Sequence, residues 1–142
     1  MLGKRKVRKN VFELVFGYEF NKEESVDEYY LRAYDNFICQ DDEEQTVKNE
    51  FFGICDNISD IDSIISEYLN SWKLSRLSKV TATILRISVY EMKYLNLPAA
   101  ISINEAVELA KEYAEDGAAS FINGVLNNAA KNICKKWRKR YI

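Results

Sequence analysis

Apolar positions recur at three- and four-residue intervals along nearly the whole chain, the spacing that lines one face of an α-helix. In the first segment Val7, Val11, Leu14, Val15 and Tyr18 fall within one arc when placed at about 100° per residue, which predicts a core stripe. Arg5, Arg8, Lys9, Phe12 and Phe16 fall on the adjacent arc, so one helix is expected to present a basic and aromatic face beside its core face. A second helix is predicted from about Ser25 to Cys39, burying Val26, Tyr30, Ala33 and Phe37. The acidic run Asp41 to Glu44 then precedes Val47, Phe51, Ile54 and Ile58, and negative charge suits a helix start.

Ile61, Ile64, Ile65, Tyr68 and Leu69 continue the pattern, with Asn57 to Asp60 read as a joint between two helices. The pattern lapses from Asn70 to Ser78 and resumes with Val80, Ile84, Ile87 and Tyr90, in a helix that must end by Leu97 because Pro98 disfavours helical geometry in the residue before it. Ser102-Ile103-Asn104-Glu105 has the form of a capping box and predicts the start of a helix carrying Val107, Ala110 and Tyr113 on one face. Asp116-Gly117 should break that helix, and Phe121, Val125, Leu126, Ala129 and Ile133 define a last one. Asn123-Gly124 reads as a close helix–helix contact around a buried amide. The expected architecture is all-α: one domain over residues 1–142 with about seven helices in two small packed bundles, about 4–70 and about 78–138.

Composition narrows what such a bundle does. Among 142 residues there is no histidine, which excludes Ser-His-Asp and Cys-His nucleophiles and imidazole metal sites. Five glycines and one proline are too few for a turn-rich β-sandwich. Cys39, Cys55 and Cys134 are odd in number and widely spaced, so reduced thiols in a reducing, cytoplasmic setting are expected rather than disulfides or zinc. The basic start resembles the first part of a secretory signal, but Glu13 and Glu19 interrupt the adjoining apolar segment, and no apolar run is long enough to span a membrane.

A net charge of −2 conceals segregation: residues 1–10 sum to +5, residues 131–142 to +6 and residues 19–67 to −12. The carboxylates of Glu105, Glu108 and Glu112, and of Asp41 to Glu44, read as solvated faces, and neither a calcium loop nor a phosphate-binding glycine loop occurs. No cofactor, metal or catalytic residue is expected. The basic N-terminal helix fits three roles: capturing single-stranded nucleic acid by charge and stacking, docking on a protein or an anionic membrane, or forming a solvated end.

Trp72-Lys73-Leu74-Ser75-Arg76-Leu77-Ser78, then Ile84-Leu85-Arg86-Ile87-Ser88-Val89-Tyr90-Glu91, resemble the central signature of the transcription antitermination factor NusB family. Leu97-Pro98, Ile103 to Lys111 and Phe121-Ile122-Asn123-Gly124-Val125-Leu126 continue the resemblance in order, while residues 21–60 match only in helical pattern. The resemblance implies an RNA-binding antitermination factor that pairs with NusE, a protein of the small ribosomal subunit. The pair would bind the boxA element of nascent ribosomal RNA and join RNA polymerase with other Nus factors, with a link to ribosomal RNA maturation. On that resemblance Lys4, Arg5, Arg8 and Lys9 form an RNA-binding arm, Tyr68, Tyr113 and Phe121 approach the RNA or else pack the core, and Phe12 and Phe16 face NusE. The chain departs from the pattern at Gly117 to Ser120, where charged or polar residues are expected in the loop before Phe121. A face shaped for NusE is equally suited to a homodimer. Alternative readings are a helical protein-interaction module, or a relative of the accessory domain of an RNA cytosine methyltransferase, whose catalytic half a chain of this length would not hold.

Overall fold

The computed structural model describes the backbone of residues 2–34 and 41–141 and the side chains of residues 5–33 and 43–133. Among the described residues the structure is all-helical, with α1 (Leu2–Tyr18), α2 (Val26–Tyr34), α3 (Asp41–Asp56), α4 (Ile58–Glu67), α5 (Lys79–Tyr94), α6 (Ala99–Tyr113) and α7 (Ala118–Tyr141) and a 3₁₀ turn at Leu74–Arg76. Packing divides the chain into two units, Met1–Asn57 and Ile58–Ile142. The division lies earlier than the lapse in pattern at Asn70, because α4 packs on α5 and α7. Phe37, Cys39 and the end of the second expected helix, together with the side chains of Lys4, Cys134 and the C-terminal basic run, lie outside the described residues.

In the N-terminal unit α1 packs on α2 and α3 around a cluster of rings. Phe51 is fully buried, its ring centroid 6.3 Å from that of Tyr18, 5.9 Å from Tyr29, 6.0 Å from Tyr30 and 5.3 Å from Phe52. Tyr29 reaches across from α2 and donates its hydroxyl to the Leu14 carbonyl at 2.9 Å. Gly17 admits it, since a Cβ there would collide with the Tyr29 hydroxyl oxygen. Burial pushes the Tyr29 hydroxyl up to about 12.

In the C-terminal unit α5 contacts α4, α6 and α7, and every residue from Thr81 to Met92 is buried. The expected amphipathic stripe of Val80, Ile84, Ile87 and Tyr90 is therefore only part of what α5 hides. Its buried polar groups are paired. Arg86 grips Asp62 of α4 with two bonds, 2.8 Å and 3.0 Å. Ser102 of α6 donates to Glu91 at 2.8 Å and lies 2.8 Å from the Ser88 hydroxyl. Asp60 accepts from Lys93 at 2.5 Å and also from Tyr94, whose hydroxyl is pushed up to about 12, first by that hydrogen bond.

Three local expectations are corrected by the structure. The Ser102–Glu105 capping box is not used: α6 starts one turn earlier, with Pro98 at its cap position and Ser102 buried inside it. Proline's fixed φ suits a helix start, and the Ser102 hydroxyl serves Glu91 instead of an N-terminal amide. Asn123 and Gly124 are not a buried contact. Both are exposed, Gly124 has open space where a Cβ would stand, and Asn123 accepts from Asn127 on the α7 surface. Gly117, by contrast, has φ +89° and ends the connection into α7, so Ala118 to Ser120 are helical rather than loop.

This packing fixes the expected cost of crowding α1 against α2. Gly17→Ala should destabilise the protein by about 1–3 kcal/mol through overpacking against an anchored tyrosine. Adding Tyr29→Phe should then cost little more, because the two changes strike one contact; additive losses in thermal denaturation would contradict the geometry. Separately, with folded values near 12 for Tyr29 and Tyr94 against an ordinary 10.0, their contribution is complete below pH 10 and is lost as pH rises toward 12. Ultraviolet titration should show a late phenolate step that shrinks in Tyr29→Phe and in Tyr94→Phe.

Candidate nucleic-acid interface

Each unit carries its own candidate residues, and those of the N-terminal unit lie on helix α1. Its buried arc takes in Val7, Val11, Leu14 and Val15 as expected, but extends further to enclose Arg8, 6% exposed, and Phe12, 3% exposed. The expected basic and aromatic face is thus cut in two. Arg5 and Lys9 remain exposed, and Phe16 is half-buried at the edge. Helix α1 packs on two helices of its unit, and its covered arc is wider than the expected stripe. Arg8 is therefore corrected from a solvent-facing contact to a largely covered side chain, and Phe12 from a partner-facing ring to a core ring.

Phe12 also begins an aromatic ladder. It stacks on Phe16 with centroids 5.7 Å apart, and Phe16 meets Phe20 edge-on at 5.1 Å. Phe20 is 56% exposed and escapes a reading by helical faces, because it lies beyond the last residue of α1. The four-residue spacing of Phe12, Phe16 and Phe20 is the signal that could have found it. Leu31 of α2 is exposed as well.

In the C-terminal unit Tyr68, Tyr113 and Phe121 are all half-buried, so each has ring surface for a ligand as well as for packing. Tyr68 follows α4, and its hydroxyl accepts from the Asn132 side chain of α7. Tyr113 closes α6, and Phe121 lies in the first turn of α7, its amide bonded to the Gly117 carbonyl at 3.2 Å. These two aromatics therefore flank the short α6–α7 connection. No helix among the described residues is long and apolar enough to cross a membrane.

The pattern of the NusB family matches residues 5–131. The chain is 38% identical over 123 residues to the transcription antitermination protein NusB of Agathobacter rectalis, covering 85% of this chain and 94% of that one. Its fold is similar to that of T. maritima NusB, with a TM-score of 0.85, 32% identity and 96% of each chain covered. It is also similar, with a TM-score of 0.81 and 26% identity over 93% of this chain and 98% of that one, to a structure of antitermination factors NusB and NusE in complex with dsRNA.

The division within α1 separates two kinds of basic residue. Arg8→Ala should lower stability by about 1 kcal/mol or more, since it removes a covered side chain and its packing. Arg5→Ala and Lys9→Ala should each stay within about 0.5 kcal/mol of the parent. Chemical denaturation of the three variants tests this ordering, and a harmless Arg8→Ala would contradict the burial.

Proposed function

The chain belongs to the NusB family of transcription antitermination proteins, and on that premise we propose that it binds the boxA element of nascent ribosomal RNA together with NusE. In this reading it joins RNA polymerase and other Nus factors in the cytoplasm and performs no catalysis itself. The supporting observation is the exposed edge of α1, where Arg5 and Lys9 stand beside half-buried Phe16. Cations on a helix neutralise phosphates and release counterions, and the adjoining ring edge leaves an apolar contact for NusE.

The division of labour follows from exposure. Arg5 and Lys9, with Lys4 preceding them in the sequence, capture the RNA backbone; Tyr68, Tyr113 and Phe121 offer their half-exposed rings to bases. Phe16 and exposed Phe20 form the apolar contact for NusE, taking the place first expected for Phe12. Arg8, largely covered, is not assigned an RNA contact. Charge attraction gives affinity, and discrimination among sequences is shared with the partner.

Titrating single-stranded boxA RNA, a scrambled RNA and a duplex, each with and without NusE, tests the reading. BoxA should bind best, and NusE should widen its advantage. Arg5→Ala with Lys9→Ala should weaken binding and reduce the slope of log affinity against log salt by about 1.4, roughly 0.7 per lost phosphate contact. Equal affinity for boxA and scrambled RNA under every condition would sink the proposal.

A further inference from the structure

The loop between α4 and α5 displays a largely exposed tryptophan. Trp72 is 59% exposed. Its backbone is held on both sides: the Trp72 amide donates to the carbonyl of Leu69, itself 1% exposed, at 3.0 Å. On the far side Arg76 donates to Lys73 at 2.9 Å and Leu77 to Leu74 at 3.1 Å, with Leu74 and Leu77 half-buried. Asn70 takes φ 57°, which turns the chain out of α4. The leucines point inward as anchors and the largest side chain of the loop points outward.

Charge along the loop sequence has one sign. Lys73, Arg76 and Lys79 are all exposed, and from Tyr68 to Tyr90 the sequence contains no acidic residue, although the chain has 22. The loop leads directly into the N-terminus of α5, capped by Ser78, which adds the positive end of a helix dipole. An exposed ring in a stretch of sequence without carboxylates, with three exposed cations at positions 73, 76 and 79, matches a polyanion with flat faces.

We propose that the Trp72 loop is a stacking site for an unpaired base of single-stranded RNA, with Lys73, Arg76 and Lys79 holding the adjoining phosphates. This extends the RNA-binding reading to a segment of the C-terminal unit for which that reading assigned no role, and it rests on that reading. Indole stacks on any base, so the loop adds affinity rather than sequence choice. Its rigidity lowers the cost of ordering on binding.

Trp137 is the other tryptophan, so a Trp137→Phe background isolates the Trp72 signal. Titration with a single-stranded boxA oligonucleotide should quench Trp72 fluorescence. Trp72→Ala should weaken binding about tenfold with unchanged circular dichroism, and Trp72→Phe should retain most of the affinity. Lys73→Gln with Arg76→Gln should lower the salt slope by about 1.4. Unquenched Trp72 and full affinity in Trp72→Ala would overturn the stacking site while leaving RNA binding through α1 intact. Loss of NusE binding in Trp72→Ala with RNA affinity retained would overturn it in favour of a protein contact. Failure of the parent protein to bind any RNA would remove both proposals.

Discussion

Helix α5 is covered on every side over three turns, and it carries an arginine and a glutamate into that cover. Burying a charge without a partner costs several kcal/mol, so the helix is tolerated only where its neighbours supply counter-groups. Asp62 meets Arg86 in a two-bond fork, which places α4 against α5 in one register. Ser102 meets Glu91, which does the same for α6. Ser102 also lies 2.8 Å from the Ser88 hydroxyl and 3.3 Å from the Ser88 carbonyl, so the buried groups of α5 and α6 form one cluster. Asp60 adds a second tie from α4, to Lys93 and Tyr94. With α4 so held, fully buried Leu69 closes it and the loop beyond emerges with Trp72 outward.

The N-terminal unit depends on shape more than on charge. Phe51 touches four other rings, and full burial of a side chain of that kind stabilises by about 1.5–3 kcal/mol. Gly17 lets α1 approach Tyr29 closely, and the hydroxyl bond to Leu14 sets the rotation of α1 about its axis. That rotation decides which basic residues are presented. Arg5 and Lys9 face solvent, whereas Arg8 is largely covered. The set of cations that α1 exposes is thus tied to how the rest of the helix is packed.

Helix number and order, the stop before Pro98, the break at Gly117 and the buried residues Val47, Ile54, Ile61 and Leu126 were readable from spacing alone, because each rests on local backbone preference or on a simple periodicity. Family membership was readable from the run between Trp72 and Leu126, most of it in or beside the helices of the C-terminal unit. The candidate surface was readable only in outline. Phe20 continued a four-residue spacing past the end of α1, and Trp72 lay where the pattern lapses, so a reading confined to helix faces reached neither.

The sequence by itself determined that the chain is a set of amphipathic helices with basic ends around an acidic first half, without the histidine chemistry of common catalysts. Local rules suffice for that, since periodicity, capping preference and charge are properties of neighbouring residues. Tertiary structure alone decided how wide each buried arc is, and so moved Arg8 and Phe12 inward. It also turned Ser102 from a cap into a buried partner of Glu91 and left Gly124 open to solvent. Each of these depends on how many elements press on a helix and from which direction, and that is set by residues distant in the chain.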